Sequence, residues 1–189
     1  LRSLRGAGAL MLAVLNRKTA EQNLRELFAG VGVLDCEFVV RHVAAHAAFM
    51  YSYPERASET VIMINIDKTR CDVSVLQKRS TVFFNMIPYA EGETVADRVV
   101  HEIEDNIIPC LESTPSVVLY GDSLTPALVS LLELRLGESV SSVQRCNAFR
   151  MCTAVLDDEH RVFASRMAHR FAANVGSVLQ RRSVVPAQQ

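Results

Sequence analysis

The run from Val61 to Tyr89, VIMINIDKTRCDVSVLQKRSTVFFNMIPY, leaves the chain the fewest choices of fold. Residues 61–66 are apolar at almost every position, the pattern of a strand buried on both faces. In residues 71–77, Cys71, Val73 and Val75 alternate with Asp72, Ser74 and Gln77, broken only by Leu76. That alternation predicts a half-buried strand with its polar side in solvent. Residues 81–87 form a third strand. The connections at 67–70 and 77–80 are short and polar, so consecutive strands must be antiparallel neighbours. A three-stranded meander follows.

Upstream, residues 10–15 predict a buried strand, and Thr19-Ala-Glu-Gln22 reads as a capping box at a helix start. Leu24, Leu27 and Phe28 then share one helical face, with Gly30 or Gly32 as the stop. Residues 34–40 read as a strand, 44–51 as an alanine-rich helix packed closely against something, and Pro54 opens a loop. Downstream, a loop at 88–93 leads to Thr94, which caps a helix with Val95, Val99, Ile103 and Ile107 on one stripe. Residues 115–120 form a strand, Thr125-Pro126 starts a helix, and Gly137 ends it. A short strand at 139–143, a less marked one at 148–156 and a long helix over 160–180 complete the order. The fold class is α/β: a mixed sheet whose antiparallel meander is followed by β-α-β, with helices on its faces. The chain divides into a leading segment at 1–43, a main domain at 44–182 and a loose tail at 183–189.

Composition narrows the function classes. A net charge of −1 gives no electrostatic footprint for nucleic acid. Five cysteines without CxxC spacing favour reduced thiols, a cytosolic home and no structural zinc. Residues 6–15 resemble a signal-peptide core but cannot span a bilayer, which needs about 20 apolar residues. No direct membrane insertion is expected. Beginning at Leu1, the chain reads as a piece of something longer.

Candidate chemistry is sparse. His42 and His46 lie four apart on a helix, the spacing of paired metal ligands, but no third ligand accompanies them, so a partly buried pair is expected. Glu102, Glu104 and Asp105 read as a solvated helix face, and Cys71 as inert packing on a strand. No catalytic triad or dyad can be assembled.

The order of elements, with an apolar helix just before the hairpin, resembles the second half of the actin-like ATPases, a ribonuclease H-like half-fold. Those proteins carry D-x-G-G-G-T-x-D in the first turn, where backbone N–H groups cradle phosphates and glycine permits close approach. The aligned residues here are Asn65, Ile66, Asp67, Lys68, Thr69, Arg70, Cys71 and Asp72, of which only Asp72 matches. Within that superfamily the chain is most similar to the PilM family of type IV pilus assembly proteins and its secretion and competence relatives. The similarity rests on residues 9–33, 61–88, 117–128 (VVLYGDSLTPAL) and 172–179 (AANVGSVL). The second glycine of the adenosine-side turn is Asp122 here, after Gly121 and before Ser123. The resemblance therefore implies, for Asp67, Lys68, Thr69, Arg70, Asp72, Gly121, Asp122 and Ser123, a nucleotide site altered at two turns. The half that supplies the first phosphate loop would precede Leu1.

Three functions compete. The resemblance implies a non-catalytic scaffold or adaptor in a bacterial pilus, secretion or competence machine. It would lie at the inner face of the membrane and grip a short segment of a membrane-anchored partner through grooves and exposed edges such as 81–87, with self-association allowed. No cofactor is expected under that reading. The alternative is half of an ATP-binding ATPase or sugar-kinase-like enzyme, which would bring ATP and magnesium. The third is an unrelated α/β interaction domain.

Overall fold

The computed structural model describes residues 18–32, 38–89, 92–153 and 155–184. The chain falls into two compact units, divided between Val40 and Arg41. The first holds helix α1, Lys18–Gly30. Thr19 lies inside its first turn rather than at its cap, and Gly32, at φ 85°, closes its end by donating to Ala29 O at 3.0 Å. Residues 38–40 are not a strand; the rest of the strand expected at 34–40, and the one expected at 10–15, lie outside the described residues.

The second unit carries a five-stranded sheet in the order β3-β2-β1-β4-β5. Its strands are β1 (Thr60–Ile66), β2 (Arg70–Gln77), β3 (Ser80–Pro88), β4 (Ser116–Tyr120) and β5 (Ser142–Arg145). The first three form the antiparallel meander, while β4 joins β1 in parallel and β5 joins β4 in parallel. The mixed sheet read from the sequence is the one observed. The last strand sits at 142–145 rather than 139–143, and no strand occurs at the described positions of 148–156.

Both faces of the sheet are covered, which is why β1 is apolar throughout. Ile62, Ile64 and Ile66 face one core with Cys71, Val73, Val75, Val117 and Leu119. That core is closed by α3 (Val95–His101) and α4 (Pro126–Leu136). Thr94 and Thr125 cap these helices, accepting from Asp97 N at 3.1 Å and Leu128 N at 3.2 Å. The helix begun by α3 widens into a π segment at Glu102–Ile107, and its stripe of Val99, Ile103 and Ile107 is buried as expected. Glu102 is not solvated: it is buried, accepting from Asn85 at 2.8 Å and Asn106 at 3.1 Å. The π turn carries it toward β3, whose amide satisfies the carboxylate.

The opposite core joins Val61, Met63, Leu76, Val118 and Tyr120 to Ala45, Phe49 and Tyr53 of helix α2 (Arg41–Ser52) and its flank, and to Ala172. Pro54–Arg56 is a short 3-10 helix rather than open loop. The long helix expected at 160–180 is two: α5 (Asp158–Met167), capped by Asp157, and α6 (Ala172–Val184), separated by a 3-10 turn at Ala168–Phe171. Helix α6 therefore extends into the segment read as loose tail. It crosses α2 at Gly176, where an added Cβ would lie 1.6 Å from Ala44 O. Small residues let the two backbones touch.

Because α2 lies on the sheet face toward which Asp72 and Ser74 point, those residues are buried, not solvent-facing as their alternation suggested. The covering helix matches them with polarity of its own. Ser74 Oγ donates to Met63 O at 3.3 Å and receives His46 Nε2 at 2.8 Å. With that hydroxyl proton committed, His46 Nε2 is the donor, and Nδ1 accepts from Thr81 Oγ1 at 2.9 Å. His42 stacks on Phe84, with centroids 4.0 Å apart, and meets His46 edge-on. The histidine pair is thus a buried polar seam.

This seam makes stability acid-sensitive. Burial holds His46 at about 4, below the 6.5 of a free imidazole, and lowers His42 as well. Between those two values the unfolded chain binds the proton and the folded chain does not, so stability falls as pH falls. The loss from His46 is fully developed near pH 4 and amounts to roughly 3 kcal/mol. Urea unfolding at pH 7 and pH 4 measures it together with the smaller losses from His42 and His169, and the flatter slope expected of His46→Gln isolates its share. A pH-independent unfolding energy across this range would contradict the seam.

Candidate functional site

The two turns singled out in the sequence meet at the carboxyl ends of β1 and β4. These strands run in parallel, with Asn65 opposite Tyr120, so residues 67–70 and 121–123 leave the sheet side by side. The chain crosses directly over the end of β1 at Gly121. Its φ is +114°, and an added Cβ would lie 2.4 Å from Ile66 O and 2.6 Å from Asn65 Oδ1. Gly121 N donates to His169 O at 3.2 Å and Ser123 N to Ile66 O at 3.1 Å. The glycine is required by the neighbouring strand.

In the first turn, Asp67 does what no glycine could. Its Oδ1 accepts the backbone N–H of Lys68 at 2.8 Å, and its Oδ2 takes Arg41 Nη1 at 2.9 Å. Asp67 N donates to Arg70 O at 3.1 Å, and Thr69 O accepts from Tyr89 N at 3.2 Å. The Lys68 N–H and the Arg41 side chain together hold the Asp67 carboxyl below its ordinary range. An anion already sits on this turn, and it is part of the chain.

Asp72 is 6% exposed beneath the same turn. Asn65 Nδ2 donates to its Oδ2 at 3.2 Å, and Arg70 Nε forms an ion pair with Oδ1 at 3.1 Å without hydrogen-bond alignment. Asn65 and Asp72 are directly opposed across β1 and β2, which is how the seven-residue separation becomes a contact. Cys71 points to the other face, where burial pushes its thiol up to about 12. That position suits packing, not nucleophilic chemistry.

In the second turn, Asp122 Oδ1 accepts from Arg170 Nε at 3.1 Å, tying the turn to the 3-10 segment before α6. The helix cap nearby is Thr125; Ser123 contributes its backbone N–H to Ile66. The structure thus gathers all eight predicted residues around the ends of β1 and β2 and the start of the 121–123 turn. Sequence reading missed Arg41 and Arg170, each placed by helical structure far along the chain from the acid it neutralises. Among the described residues, no three His, Cys, Asp or Glu side chains converge as a metal would require.

No family model and no curated protein matches this chain. Solved structures do match. The chain is similar to a Bacteroides thetaiotaomicron protein with an actin-like ATPase fold and unknown function: TM-score 0.50, 14% identity, covering 72% of this chain and 52% of that one. With the meander, the parallel extension and the two apposed turns, this defines the class: an actin-like fold. The chain is also similar to a chain of the PilM–PilN type IV pilus biogenesis complex, at TM-score 0.68 and 16% identity over 90% of its length. It spans 59% of that chain. At such identities the likeness is one of fold, and in fold the resemblance read from the sequence holds. Among the described residues, no helix is long and apolar enough to cross a membrane.

Proposed function

We propose that this chain is a non-catalytic actin-like scaffold domain of a bacterial envelope assembly, of the pilus, secretion or competence type. In this reading it works on the cytoplasmic side and binds a protein partner, a short segment of a membrane-anchored assembly protein. One observation carries the loss of catalysis: the Asp67 carboxylate occupies the Lys68 N–H and Arg41 at the turn where a phosphate would need free donors. A nucleotide would have to displace a tethered anion and then lie beside it, with like charges opposed. Similarity to a chain of the PilM–PilN complex supports a protein partner.

The alternative, an ATP-binding half-enzyme using magnesium, draws on Asp72, the one residue kept from the family pattern, which is buried at the sheet's carboxyl edge. Unfolding in the presence of MgATP separates the two. A ligand present at 100 times its Kd stabilises by about 2.7 kcal/mol. With about 1 mM MgATP, the scaffold reading predicts a change below roughly 0.4 kcal/mol, the value for a Kd no tighter than about 1 mM. A gain of about 2.7 kcal/mol would show a nucleotide site and contradict the scaffold reading in this form.

A further inference from the structure

We propose that the 3-10 segment Ala168–Phe171 is an acid-released clamp on the 121–123 turn, opened when His169 takes up a proton. The segment grips that turn by two bonds: Gly121 N donates to His169 O at 3.2 Å, and Arg170 Nε donates to Asp122 Oδ1 at 3.1 Å. The second is an exposed ion pair and holds weakly. The rest of the grip is burial, since Ala168 and His169 both lie in the interior. The two sides of the segment are anchored unequally. On one side α6 is fixed, with Ala172 fully buried and Gly176 pressed against Ala44 of α2. On the other, no residue of α5 is buried, so α5 offers little resistance to movement. Outward movement therefore pivots at Ala172 and carries His169 into water.

The surroundings of His169 make a proton the trigger. Burial disfavours the imidazolium, and Arg145 of β5 and Arg170 of its own segment repel it. These outweigh the Arg166 backbone of α5 and Asp122 of the turn, which favour the charged form. Tyr120 of β4 stays neutral, because burial raises its phenol. The clamped His169 thus titrates below the 6.5 of a free imidazole. Between those two values the open segment binds a proton that the closed one does not, so falling pH favours opening. Opening takes the acceptor away from the Gly121 N–H at the edge of the candidate site, whether or not a nucleotide binds there.

Hydrogen exchange of the Gly121 amide, corrected for the intrinsic rate at each pH, tests the clamp in ligand-free protein. From about pH 7.5 to about pH 5.5 its protection should fall by about threefold to tenfold, since about tenfold is the ceiling for one proton one unit below 6.5. His169→Gln should abolish the fall. Arg145→Gln, at an exposed position, should shrink it by relieving the imidazolium of the closed segment. His46→Gln should leave it in place. Protection that stays constant in the parent overturns the clamp, as does a fall that persists undiminished in His169→Gln or Arg145→Gln. A fall removed by His46→Gln also overturns it, because Gly121 would then open only with the whole domain.

Discussion

Gly176→Ala is expected to destabilise the protein by roughly 3–5 kcal/mol, although alanine is the better helix former by about 1 kcal/mol. The new methyl would lie 1.6 Å from Ala44 O and 2.4 Å from Ala44 C, so it meets backbone and cannot rotate away. Helix α2 cannot yield, because Ala45 and Phe49 on its inner side are fully buried against the sheet. Helix α6 must therefore lift off, taking Ala172 and Val175 out of the core. Urea unfolding should show a lower midpoint with an unchanged slope. Asn174→Ala, at an exposed position of the same helix, is the control and should be neutral or slightly stabilising. A Gly176→Ala midpoint equal to or above that of the parent would mean the two helices do not touch.

Gly121→Ala is expected to cost a similar amount, roughly 3–5 kcal/mol, for a different reason. At φ +114° any side chain is strained, and the added carbon would press on Ile66 O, Asn65 Oδ1 and Ile66 N within 2.8 Å. Ile66 O is also the acceptor for Ser123 N, so relief by moving the strand end breaks the turn's own bond. The loss should appear in protein without any ligand and should not change when MgATP is present. If the glycine existed only to admit a nucleotide, the ligand-free variant would be as stable as the parent. Unfolding midpoints of the two proteins decide the matter.

The main sheet was legible because its pattern is local. Consecutive apolar runs with connections of three and two residues admit little besides a meander, and the caps at Thr94 and Thr125 lie one residue before the helices they start. What alternation cannot tell is which layer covers a face. Asp72 and Ser74 read as solvent-facing because each is polar, yet α2 covers them with His42 and His46. The clue was present as two histidines four apart, but matching them to a strand 28 residues away requires the fold. Glu102 was misread for the same reason, since its partner Asn85 is on another element. At the first turn, the sequence showed that glycines were replaced by charged residues. It did not show that Asp67 turns back onto the N–H of Lys68, nor that Arg41 neutralises it. Those contacts depend on backbone direction and on a helix that begins 26 residues upstream.

The self-occupied turn is tested most directly by the amide resonance of Lys68 in the ¹H–¹⁵N spectrum. Bonded to an ionised carboxylate, it should follow the protonation of Asp67, with a midpoint below the ordinary 3.8. During titration with MgATP at neutral pH, the amides of Lys68, Thr69 and Gly121 should not move. A saturable shift of these three resonances on adding MgATP would show the turn open to phosphate and would contradict the account.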